Sequence, residues 1–122
     1  MSAACLVAVL LSPALAVAKD KDVAAIAGPY SIWEDFEGGR VCPITLDAGR
    51  TIGGYVLEGD DDCMVPFKLP DDPYAWFVDK DGKLTFIDVT RHILLQFERL
   101  ADGSFYARRE QFGLENLNLT PE

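Results

Sequence analysis

Between Tyr30 and Arg109 the chain is cut into short runs of β-branched and aromatic residues, each ended by a turn signal. The runs are Tyr30–Phe36, Val41–Leu46, Thr51–Leu57, Met64–Leu69, Ala75–Val78, Leu84–Val89, Ile93–Arg99 and Ser104–Arg109. Between them stand Glu37-Gly38-Gly39, Asp47-Ala48-Gly49, Asp81-Gly82 and Asp102-Gly103. Asp-Gly and Gly-Gly supply the positive φ angles that tight hairpins need, so the runs read as antiparallel strands. Ile93, Leu95 and Phe97 share one face of their run, and Gln96 and Glu98 share the other. About eight such strands are too many for one open sheet of this size. Closing them into an antiparallel barrel removes the edges, with a sandwich as the second choice. Pro66, Pro70 and Pro73, with Asp71 and Asp72, read as a loop or a single helical turn before Trp76.

The start of the chain reads differently. Residues Cys5 to Ala18 are apolar and small, with no charged side chain before Lys19. The stretch is short for a bilayer span and ends in Ala16-Val17-Ala18, as the apolar core of a secretory signal does. Residues 1–18 are therefore assigned to a signal peptide and the mature chain to a start at Lys19. A lipidated Cys5 fits poorly, because the apolar run follows that cysteine instead of preceding it. Of the three cysteines, Cys5 leaves with the signal. Cys42 and Cys63 remain as an even pair that an oxidising compartment closes. Cys42, Ile44 and Leu46 share a face, so the cystine points into the core. Closing a loop of about twenty residues is worth roughly 3 kcal/mol by the chain-entropy estimate, which is large for so small a domain.

The formal net charge is −9. It argues against nucleic acid or anionic lipid as a partner, since both select basic patches. His92 is the sole histidine, which excludes a histidine-rich metal centre and reads as a surface residue. Ser31 and Ser104 lack a readable base–acid arrangement. Asp60-Asp61-Asp62 lacks the spaced ligands of a calcium loop and reads as an acidic turn. Glu34, Asp35 and Glu37 are charges at a strand end, and Trp33, Trp76, Phe86 and Tyr106 are candidates to line a barrel cavity. None of these makes an active site, and the chain is expected to be no enzyme and to need no cofactor.

Several motifs follow in a fixed order: Ala27-Gly28-Pro29-Tyr30, Cys42-Pro43-Ile44-Thr45-Leu46 and Gly59-Asp60-Asp61-Asp62-Cys63. Trp76, Asp81-Gly82-Lys83-Leu84 and Phe97 with Asp102-Gly103-Ser104-Phe105-Tyr106 come after them. In this the chain resembles the alkaline metalloprotease (serralysin) inhibitor family of Gram-negative bacteria, from about Ala25 to Arg109. It departs at Tyr30, where the family commonly has Trp. The resemblance implies an eight-stranded antiparallel up-and-down β-barrel with one disulfide and a flexible N-terminal trunk. It also implies a monomeric periplasmic inhibitor whose partner is a serralysin-type zinc metalloprotease. In that family the first mature residues enter the protease cleft and the free α-amine approaches the catalytic zinc. Carried over, the inhibitory trunk is Lys19, Asp20, Lys21, Asp22 and Val23, with the Lys19 α-amine directed at the zinc and no metal site in the chain itself.

The expected organisation is a trunk over 19–27, a barrel over 28–110 and a polar C-terminal tail over 111–122 in which Leu114, Leu117 and Leu119 are available for docking. Val23 to Ala27 reads as one short amphipathic turn. Two other functional classes stay open. A small-ligand carrier would need an unfilled apolar interior, and an envelope protein would keep the fold with another partner or a structural role.

Overall fold

The computed structural model describes residues 22–122. A short helix, α1, spans 22–26. Eight strands follow: β1 Gly28–Glu34, β2 Val41–Thr51, β3 Gly54–Gly59, β4 Ala75–Val78, β5 Leu84–Ile87, β6 Ile93–Arg99, β7 Phe105–Ala107 and β8 Leu117–Pro121. Each pairs antiparallel with its sequence neighbours, and β8 returns to β1, with Tyr30 opposite Pro121 and Glu34 opposite Leu117. The result is a closed up-and-down barrel, so the edge problem of a small sheet is solved by closure. Among the described residues no helix is long and apolar enough to cross a membrane.

The eighth strand is not the one expected from the sequence. Met64–Leu69 forms no strand. Asp61–Met64 is a helical turn, α2, and Val65–Phe67 a turn of 3-10 helix. The physical reason lies at its start, where the Asp60 side chain accepts the Asp62 N–H and caps the turn. Pro66 then sits early in the 3-10 segment, where its missing N–H costs nothing. The barrel is closed by Leu117–Pro121 instead, so it extends past residue 110 and the segment after Gln111 is no free tail. Leu117 and Leu119 are fully buried while Asn118 and Thr120 are partly exposed, which is the alternation of a half-buried strand.

Two further differences are bulges. Asp47-Ala48-Gly49 is not a hairpin turn. The β2–β3 register shifts between Leu46 and Arg50, and the turn falls at Ile52-Gly53, where Gly53 has φ +83°. On β6 the register shifts so that Phe86 faces Leu95 but Ile87 faces Ile93. The extra residue, Leu94, is buried and Ile93 is exposed, so Ile93 leaves the face it was expected to share with Leu95 and Phe97.

The interior is filled. Trp76, Phe67, Phe86, Phe97 and Phe105 are all at 1% exposure or less, packed with Ile32, Leu46, Leu84, Leu117 and Leu119. Burying each such side chain contributes about 1.5–3 kcal/mol before entropy is counted. Trp33 and Tyr106, offered as cavity-lining residues, lie outside: Trp33 Nε1 donates to Thr120 Oγ1 and the Tyr106 hydroxyl to Asp35 Oδ2. Phe86 stacks obliquely on Phe97 at 5.0 Å between ring centroids.

Candidate functional site

The barrel has two unlike ends. One carries the start of β1, the β2–β3, β4–β5 and β6–β7 turns and the end of β8. The chain enters at this end through α1. Ile26 is buried and Val23 packs partly against the core, while Asp22, Ala24 and Ala25 face outward. The helix is joined to the barrel by a local device, because the Tyr30 hydroxyl donates to the Ile26 carbonyl oxygen at 2.6 Å. Burial pushes the Tyr30 phenol above its ordinary value, against an opposing pull from Arg99, so the hydroxyl holds its proton and stays a donor. Sequence reasoning passed over this bond, although the spacing of four between Ile26 and Tyr30 was there to be read.

Of the five trunk residues, the described part of the structure includes Asp22 and Val23. Both belong to α1, Asp22 exposed and Val23 half-buried. Lys19, Asp20 and Lys21, and the signal assigned to 1–18, lie outside the described residues. Val23 packs against the barrel core from α1.

At the opposite end the cystine is formed. Cys42 and Cys63 are joined with Cα atoms 5.9 Å apart, and Cys42 is buried on the face it shares with Ile44 and Leu46. The bond ties α2 to β2. A second tie, unforeseen from the sequence, is Arg109. It is 5% exposed and donates from Nη1 to Phe67 O at 2.6 Å and from Nε to Glu115 O at 2.7 Å. Burial draws its pKa down, while Glu34 and Glu115 push it back up.

The other residues singled out have structural partners. His92 is exposed and its Nδ1 lies 3.4 Å from Asp88 Oδ2. The buried Asp88 accepts the N–H groups of Thr90 and His92 and the Thr90 hydroxyl. Ser104 donates to Asp102, and Ser31 to Glu122. Glu34 accepts the Arg40 N–H, and Asp35 accepts from Tyr106 and Asn118. Asp60 is the helix cap already described. The Thr90 hydroxyl also lies 2.8 Å from His92 Nδ1, and each of these side chains holds a turn or a strand pair.

The described barrel is filled and cystine-stapled. The family model described as "Protease inhibitor Inh" matches residues 20–117, and the chain belongs to that family. A solved structure titled "Crystal structure of a psychrophilic marine protease MP inhibitor" shares its fold. The two are 20% identical, with TM-score 0.65, over 82% of this chain and 98% of that one. No curated protein matches the chain.

Proposed function

We propose that this chain is a monomeric periplasmic inhibitor of a secreted zinc metalloprotease of the serralysin type, without catalytic activity, and that residues Lys19 to Val23 carry the inhibition. The observation behind this reading is the anchored base of the leader. Ile26 and Val23 pack α1 against the barrel, and the Tyr30 hydroxyl bonds its last turn. A leader joined to an ordered base has fewer residues left to order on entering a cleft.

The chemistry then rests on the α-amine of Lys19. A catalytic zinc keeps one coordination position for water or substrate. A neutral amine is a good ligand for that position, and occupying it displaces the water that would attack a peptide bond. Three residues of extended chain span at most about 10 Å. The barrel end that bears α1 would thus sit close against the rim of the cleft, and its turns would make the remaining contacts. The filled interior speaks against a small-ligand carrier.

The test is titration of a serralysin-type protease with chains beginning at Lys19, at Gly28 and with one residue added before Lys19. The first should inhibit stoichiometrically and the other two at least 100-fold less well. Equal inhibition by the chain starting at Gly28 would remove the leader from the mechanism. Lack of inhibition by every form would favour an envelope role for the same fold.

A further inference from the structure

Closure of the barrel is incomplete along β6. On one side β6 pairs with β5 over Ile93 to Phe97. On the other it pairs with β7 only at Glu98–Tyr106 and Arg99–Phe105. β7 ends at Ala107, and the chain then turns toward β8, where the Arg109 N–H is taken by Asn116 Oδ1 at 2.7 Å. The Leu100 N–H donates to Ser104 O, so Leu100, Glu98 and Gln96 turn their backbone groups toward β7. At Gln96 that ladder has already stopped. An edge is open there; the β3–β4 ladder is equally short, stopping after Leu57 bonds Tyr74 O, but the β6 edge lies beside an apolar groove.

Beside this edge runs a groove of about 520 Å³, lined by Leu69, Ile93, Leu95, Phe112, Leu114 and Arg108 among others. Ile93 is 57% and Phe112 72% exposed. The bulge at Leu94 is what turns Ile93 outward into it. Native proteins blunt open edges with charge or cover them, yet here the edge is flanked by bare apolar side chains. The rim has the opposite sign to the molecule. Lys68, which has no ion-pair partner among the described residues, and Arg108, paired with Glu110 at 3.8 Å, stand on it in a chain of net charge −9.

We infer that the β6 edge is a second docking site, which takes an extended protein segment of alternating apolar side chains bearing a carboxylate. The segment adds a strand at Gln96, lays apolar side chains against Ile93 and Phe112, and sets its carboxylate at Lys68 and Arg108. Strand addition draws affinity from main-chain hydrogen bonds and specificity from pockets for alternate side chains. Charge selects the occupant: in a two-fold pairing through this face, a second copy would set a basic rim against a basic rim. The groove lies at the end away from α1, so a segment held there leaves the leader free.

Random octapeptides displayed on phage and selected on the mature chain test this. Enriched sequences should alternate apolar and polar residues and carry Asp or Glu. A synthetic copy of the best one should slow hydrogen exchange at the Gln96 amide at least tenfold. It should bind at least tenfold more weakly to Lys68→Glu and to Phe112→Ser, both exposed positions whose variants can be checked for an unchanged Tm. Failure to enrich any peptide, or binding that leaves the Gln96 amide unprotected, would overturn the site. Sedimentation of the free chain as a dimer, with that amide protected, would overturn the assignment of its occupant.

Discussion

The guanidinium of Arg109 donates to the carbonyl oxygen of Phe67, joining residues 42 apart in sequence. Phe67 is fully buried and is held in a 3-10 turn with few ladder bonds of its own. The long β3–β4 connection is thus fixed against the barrel by one cation that bonds two backbone carbonyls, Phe67 O and Glu115 O. Charged donors to buried carbonyls are among the stronger hydrogen bonds in a fold.

Arg109→Ala should therefore destabilise the protein by about 2–3 kcal/mol, since it removes two charge-assisted bonds and leaves their acceptors unpaired. Arg109→Lys should recover less than half of that, because an ammonium lacks the fork that reaches both oxygens. Urea denaturation of the three proteins measures both differences. A loss below 0.5 kcal/mol for Arg109→Ala would show that the connection is held by packing alone.

The cystine and Arg109 tie the same connection, at Cys63 and at Phe67, which sets up a second prediction. Replacing Cys42 and Cys63 together by Ala should cost about 3 kcal/mol from the entropy of the opened loop. Because both ties hold α2 and the 3-10 turn, adding Arg109→Ala should give a total different from the sum of the two losses. Denaturation midpoints of the four proteins in the cycle would read the coupling. Simple additivity would mean that the two ties act independently.

Much of the fold was legible, and the failures have physical causes. Asp81-Gly82 and Asp102-Gly103 marked their hairpins because positive φ is cheap for Gly, and Gly82 and Gly103 have φ +83° and +87°. The Cys42 face was readable from period two. Met64–Leu69 misled because apolar content without alternation fits a buried turn as well as a strand. The bulges at Leu94 and around Ala48 could not be foreseen, since a bulge is set by the partner strand's register and not by the bulged residues. The role of Arg109 was hidden for a similar reason. Its acceptors are backbone carbonyls, which leave no mark in the sequence.

Acid should weaken the fold partly through Asp88. Burial alone would raise its carboxyl, but the His92 N–H, the Thr90 hydroxyl, the Thr90 N–H and the nearby His92 together bring it below its ordinary value. A carboxyl whose folded pKa is depressed adds stability above its unfolded pKa and loses it as pH falls through the folded one. The contribution is thus complete above about pH 5 and fades below about pH 4. Asp88→Asn should have a lower Tm than the parent at pH 7, and the gap should narrow steadily toward pH 2. A gap that stays constant with pH would assign the role of Asp88 to shape and not to charge.

The bond from Tyr30 to Ile26 connects stability to the proposed activity. Tyr30→Phe removes only the hydroxyl, keeps the ring against Phe105, and leaves the Ile26 carbonyl without its donor. The fold should lose about 1 kcal/mol. If the base of the leader positions it for a cleft, inhibition should weaken more than that global loss explains. A protein still folded in more than nine molecules of ten at the assay temperature should show an inhibition constant raised about five- to tenfold. The slower association of a leader that must first be ordered should account for part of the change. Inhibition assays with Tyr30→Phe, beside a far-end variant that is destabilised more, such as Cys42→Ala/Cys63→Ala, separate the two effects. Unchanged inhibition by Tyr30→Phe would mean that the leader acts as a free tether, and that α1 serves only to close the end of the barrel.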